Sequence, residues 1–162
     1  MTSLIASILS LFGASMIQSE THSIVTRHDN VWIASQPDES DLDAWAASGA
    51  KIVINSRTPQ ETTSLSFDLR QAVESRGMRY VEMPIGGTSG ADFQHTRALT
   101  ALLAETDGPV VMHCRSGTRS SHLYAAHLMS ADPAMSTPFD AMSWPGGRDM
   151  NLVQNLTPPP SD

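Results

Sequence analysis

Short apolar runs alternate along the chain with longer stretches whose apolar positions repeat at helical spacing. Val31 to Ser35, Lys51 to Asn55, Arg79 to Pro84 and Pro109 to Met112 are brief, mostly apolar and bounded by turn residues, the pattern of buried strands. Between them, Ser40 caps a predicted helix whose Leu42, Trp45 and Ala46 share one face, with Gly49 as its stop. Leu65, Leu69, Ala72 and Val73 fall at i, i+4, i+7 and i+8, one face of a helix closing near Arg76-Gly77. Asp92 stands at the N-cap position of a helix carrying Leu99, Leu102 and Leu103. Ser121 to Met129 forms another, with Leu123, Ala126 and Met129 inward and Ala131-Asp132-Pro133 as its end. Phe139 to Trp144 adds a turn before Pro145-Gly146-Gly147 breaks it. Strands alternating with helices predict an α/β fold, a three-layer sandwich around a mainly parallel sheet.

The ends of the chain differ from this pattern. Leu4, Ile5, Ile8, Leu9, Leu11, Phe12, Met16 and Ile17 form an apolar run with no charge before Glu20. It is short for a stable membrane span, which needs about 20 apolar residues. It fits a signal-peptide core with Gly13 and Ser15 near a cleavage point, although no Lys or Arg precedes it; the other reading is an N-terminal extension. Residues 1–27 are therefore set apart, 28–155 form the domain, and 156–162, with three consecutive prolines, read as a disordered tail. Cytoplasmic residence and export to the periplasm both remain open.

At 162 residues the chain is long enough for a single core. Seventeen acidic against ten basic residues give a net charge of −7, which argues against a nucleic-acid partner, because phosphate backbones require clustered cations. A lone cysteine excludes an internal disulfide, and no Cys/His spacing suits structural zinc; neither a metal nor a cofactor is expected. Nothing in the pattern specifies an oligomeric state.

The candidate chemistry lies in His113-Cys114-Arg115-Ser116-Gly117-Thr118-Arg119-Ser120, between an apolar strand and a helix. Backbone N–H groups at a helix start lack intrahelical partners, and the helix dipole adds positive potential there. Such a place favours an anionic ligand and the thiolate form of Cys114, and Arg119 can present two parallel N–H donors to an oxyanion. Sulfur attack on an anionic or phosphorylated small substrate is the implied reaction. The alternative is a small apolar filler at a strand end.

The octet resembles the active-site loop of the protein tyrosine phosphatase superfamily in His113, Cys114 and Gly117, but Arg119 comes one position early. The shorter spacing is similar to rhodanese-type sulfurtransferase loops. Together with Trp32-Ile33-Ala34-Ser35-Gln36-Pro37 and Ile52-Val53-Ile54-Asn55-Ser56-Arg57, the loop resembles the beta-lactamase-hydrolase-like phosphatase domain family over roughly residues 28 to 130. That resemblance implies a protein tyrosine phosphatase-like, dual-specificity-like fold and either phosphatase or sulfur-transfer activity.

On these grounds Cys114 is the expected nucleophile and Arg119 the clamp. His113 orients the loop, while Arg115, Ser116, Gly117 and Thr118 line the substrate site. Ser120 donates to the Cys114 sulfur or caps the helix. Arg57 follows a strand end, where α/β sheets place ligand contacts, and either reaches substrate or pairs with Glu61. Superfamily phosphatases take their leaving-group acid from the region around Gly86 to Ala91; here only Asp92 offers one, with helix capping as its other role and Glu82 a weaker candidate. The early arginine and the missing loop aspartate favour sulfur transfer, whereas the order of motifs favours a cysteine-dependent phosphatase acting on a phosphomonoester. A non-catalytic anion-binding module is the third reading.

Overall fold

The computed structural model describes residues 23–160; the apolar run near the N-terminus lies outside the described residues. Within these residues five strands, β1 (Ile24–His28), β2 (Val31–Ala34), β3 (Ile52–Asn55), β4 (Arg79–Glu82) and β5 (Val110–His113), form one sheet in the order β1-β2-β5-β3-β4. β2, β5, β3 and β4 run parallel, and β1 pairs antiparallel with β2. Among the described residues seven α-helices accompany them: α1 (Glu39–Ala47), α2 (Pro59–Thr63), α3 (Leu69–Glu74), α4 (Phe93–Glu105), α5 (Thr118–Ala131), α6 (Pro138–Ala141) and α7 (Met150–Leu156).

The two faces of the sheet bury two separate cores, which makes the fold the predicted three-layer sandwich. Val31, Ile33, Ile52, Ile54, Val110 and Met112 point to one side, against residues of α4 to α7. Trp32, Ala34, Val53 and Val111 point to the other, against Leu42 and Trp45 of α1 and Leu69 and Val73 of α3. Period-two alternation with both faces apolar is why these strands read as continuous hydrophobic runs.

Several boundaries differ from the expectation. The sheet begins at Ile24 rather than at His28: β1 alternates half-buried and exposed residues, as an edge strand with one solvated face does. The helix expected from Leu65 is split, since Thr58 and Glu61 form a capping box for α2 and Asp68 caps α3, leaving Leu65 in the intervening loop. Asp38, not Ser40, caps α1. Leu156, assigned to the tail, is fully buried at the end of α7, which Asp149 caps.

Topology places the chemistry. β5 is the central strand, flanked by β2 and β3, so the C-terminal ends of all three deliver their following loops to one edge of the sheet. Open α/β sheets bind ligands at such an edge.

Candidate active site

Cys114 leaves β5 directly into the loop and is 1% exposed. Both neighbouring strands pin the loop: Ser56 N–H donates to His113 O at 2.8 Å from the β3 side, and Gln36 N–H to Arg115 O at 3.1 Å from the β2 side. Gly117 takes φ +87°, a left-handed conformation that lets the chain turn into α5 and that a side chain would strain. Within the described residues, the backbone N–H groups from Arg115 to Ser120 donate to no carbonyl or side chain. The shorter loop therefore still carries an unbroken run of free donors at a helix start, the composition of an anion cradle.

Arg119 is already half engaged. Its Nη1 and Nη2 donate to the two carboxylate oxygens of Glu61 at 2.7 and 2.8 Å, and Nη1 also donates to Ile85 O at 3.1 Å. A planar guanidinium has two forked edges. The Nη1/Nη2 edge is spent on Glu61, which leaves Nε and the outer hydrogen of Nη2 as the pair available to an oxyanion. The hydrogen bond to Arg119 holds the Glu61 carboxyl well below the usual carboxylate range, against the opposing effect of burial and with help from Thr58. The same bond raises the Arg119 guanidinium, burial opposes it, and the nearby Cys114 sulfur adds to the rise.

The sequence offers Glu61 an ion-pair partner only in Arg57, four positions earlier. What the sequence does show is its capping box with Thr58, and that box explains how a five-residue helix, far below the roughly 12–15 residues an isolated helix needs, holds its shape. Asn55 Nδ2 adds a bond to Thr62 Oγ1 at 2.8 Å. Because the folded-state pKa of Glu61 lies below its unfolded value of 4.5, the pair's stabilisation is present above that pH and is lost as pH falls through the folded value. The melting-temperature gap between wild type and Glu61→Gln is therefore expected to be constant from neutrality to about pH 5 and to shrink below pH 4.5. A gap that widens in acid would contradict the pairing.

Arg57 lies at the β3 end, its Nη1 donating to Gln36 Oε1 at 2.7 Å and its Nε 3.6 Å from Glu61. Of the two expected roles for Arg57, the pairing with Glu61 is the one formed in the structure. His113 is fully buried with neither ring nitrogen hydrogen-bonded; burial pushes it down to about 3, opposed by the Cys114 backbone and assisted by the Arg57 charge. The ring therefore makes no hydrogen bond through which it could orient the loop. Ser120 Oγ donates to Ser56 Oγ at 3.3 Å, and Ser116 Oγ and Thr118 Oγ1 bond to each other at 3.0 Å, while Arg115 and Ser116 stand exposed at the rim. Asp92 accepts from Gln94 N–H at 2.8 Å as the cap of α4, half-buried after the loop that begins at Gly86. No group of three potential metal ligands occurs among the described residues, nor any helix long and apolar enough to cross a membrane.

A family model described as beta-lactamase hydrolase-like protein, phosphatase-like domain, matches residues 23–131. The chain belongs to this family. The beta-lactamase hydrolase-like protein of Xylella fastidiosa strain Temecula1 is 36% identical over 106 residues, covering 63% of this chain and 24% of that protein. Its counterpart in Agrobacterium fabrum strain C58 is 32% identical over 99 residues, covering 60% and 23%. The match thus spans about a quarter of the length of these curated relatives. Among solved structures, kinase associated phosphatase superposes with a TM-score of 0.67 at 14% identity, covering 78% of this chain and 83% of that one. Tk-PTP in its active form gives 0.66 at 20% identity, covering 83% and 96%. TpbA of P. aeruginosa in complex with pTyr gives 0.55 at 15%, covering 85% and 88%. The fold of the phosphatase-like domain is therefore protein tyrosine phosphatase-like, as the three motifs implied.

Proposed function

We propose that this phosphatase-like domain hydrolyses a phosphomonoester through Cys114. The observation that carries the reading is the run of free N–H groups from Arg115 to Ser120 around a cysteine, facing an arginine whose second edge is left open by Glu61. The Cys114 thiolate attacks phosphorus; an S–P bond forms as the P–O ester bond breaks, and the leaving oxygen takes a proton. Water then attacks the phosphoryl group, the S–P bond breaks back to thiolate, and the water's proton returns to the acid. The loop donors and the Nε/Nη2 edge of Arg119 hold the phosphoryl oxygens as charge shifts among them. Glu61 is ruled out as the acid, because its bond to Arg119 keeps it ionised. Asp92 takes that role, at the start of α4 beyond the Gly86 loop.

The test is release of inorganic phosphate from aryl phosphates whose leaving groups differ in basicity. Asp92→Asn is expected to slow a poor leaving group by about 10²-fold and a good one far less. Equal slowing of both would remove Asp92 from the reaction, and no release from any ester would remove the hydrolase.

A second reading is favoured by the spacing of Arg119 from Cys114. In sulfur transfer the thiolate attacks the sulfane sulfur of thiosulfate, the S–S bond breaks with sulfite leaving, and the Cys114 persulfide passes its sulfur to cyanide or a thiol. That route requires no leaving-group acid.

A further inference from the structure

The family match ends at residue 131, yet the chain continues through α6 and α7 and returns to the cysteine loop. Trp144, 3% exposed, is the point of return. A Cβ built on Gly117 would lie 3.0 Å from Trp144 Cη2 and 3.3 Å from both Ile33 Cγ2 and Ala34 O, so the indole and β2 close on this glycine together. The indole is itself held: Nε1 donates to Gly147 O at 3.1 Å, the Trp144 N–H donates to Phe139 O at 2.8 Å, and Gly146 packs on the ring.

A second tie joins the same two parts. Asp149 N–H donates to His122 Nε2 at 2.8 Å, which places the ring proton on Nδ1, where it donates to Thr118 O at 2.6 Å. Thr118 follows Gly117 directly. His122 also stands edge-on to Phe139 at 4.8 Å, and Met142 O accepts from Thr26 Oγ1 at 2.7 Å, which anchors the segment to the sheet edge as well.

We propose that Pro138 to Asp149 is a brace for the anion cradle, with Trp144 a positioning residue acting on Gly117 and His122 its tether. The proposal rests on the reading of the loop as an anion cradle. Free N–H groups stabilise a developing charge only when already aimed at it, and a loop that depends on one left-handed glycine has few internal bonds to keep that aim. The bracing segment supplies the missing wall from outside the loop.

Alkylation of Cys114 reads the cradle without any substrate. Iodoacetate, an anion of similar size to neutral iodoacetamide, is expected to react faster with wild type because the loop donors receive its carboxylate. Trp144→Phe is expected to reduce the iodoacetate-to-iodoacetamide rate ratio by about tenfold. His122→Asn, which loses the acceptor for Asp149 N–H, lowers it in the same direction. Leu69→Ala, in the core on the other face of the sheet, lowers the melting temperature and leaves the ratio unchanged. A wild-type preference that survives in both brace variants would overturn the brace alone. A wild type without preference would overturn the cradle, and the brace with it.

Discussion

Cys114→Ser is expected to lower phosphate release from an aryl phosphate by about 10³-fold or more, to the background of the assay, with the melting temperature close to wild type. The substitution is nearly isosteric at a site that is 1% exposed, so the fold has little to adjust. The chemistry changes instead. A serine hydroxyl needs a base to take its proton, whereas the group shown beside this position is a donor, the Arg119 guanidinium. Hydrogen-bond donors of this kind cannot take a proton from an alcohol. Activity retained within tenfold of wild type would show that the reaction does not pass through this sulfur.

Arg119→Lys carries the second largest effect. Lysine keeps the charge but has a single nitrogen, so it cannot answer both Glu61 oxygens and Ile85 O while presenting a parallel pair to substrate. Losing oriented donors at a site of developing charge typically costs about 10²–10³ in kcat, and the loss is expected here mainly in kcat. A lysine variant that keeps kcat and raises only KM would mean that Arg119 serves ground-state binding and that the loop N–H groups stabilise the transition state alone.

The strand, loop and helix around Cys114 were legible in the sequence because each has a local cause. Pro109 to Met112 is an apolar run, Gly117 permits the turn, and the residues after it repeat at helical spacing. The two-faced burial of β2, β3 and β5 was legible for the same reason. What escaped depends on distance or on weak periodicity. The bond between Glu61 and Arg119 links residues 58 positions apart, and no local pattern announces a partner so far away. The capping box at Thr58 was visible in principle, but the apolar spacing from Leu65 to Val73 suggested one helix where Asp68 starts a new one. β1 and α7 are short elements held by pairing and packing: Thr26, Arg27 and His28 find their register against β2, and Leu156 is buried through the fold rather than through its own seven-residue helix. The role of Trp144 likewise lies in the contact with Gly117, which only the folded chain creates.

Charge also takes a clearer meaning once the fold is known. The net −7 argues against a nucleic-acid surface, yet the site gathers Arg57, Arg115 and Arg119 at one sheet edge with Glu61 among them. On the proposed reading, a small anion would be received there by this local arrangement, against the overall charge of the chain.

The phosphate and sulfur readings separate in one experiment on one preparation. Purified wild type and Cys114→Ser are each incubated with thiosulfate and weighed intact, and each is assayed in parallel for phosphate release from an aryl phosphate. Phosphate release by wild type, lost in Cys114→Ser and without a sulfur adduct in either protein, is the expected result. A gain of a single sulfur atom on wild type alone, with no phosphate released, would contradict the phosphatase assignment and make Cys114 a carrier of sulfane sulfur.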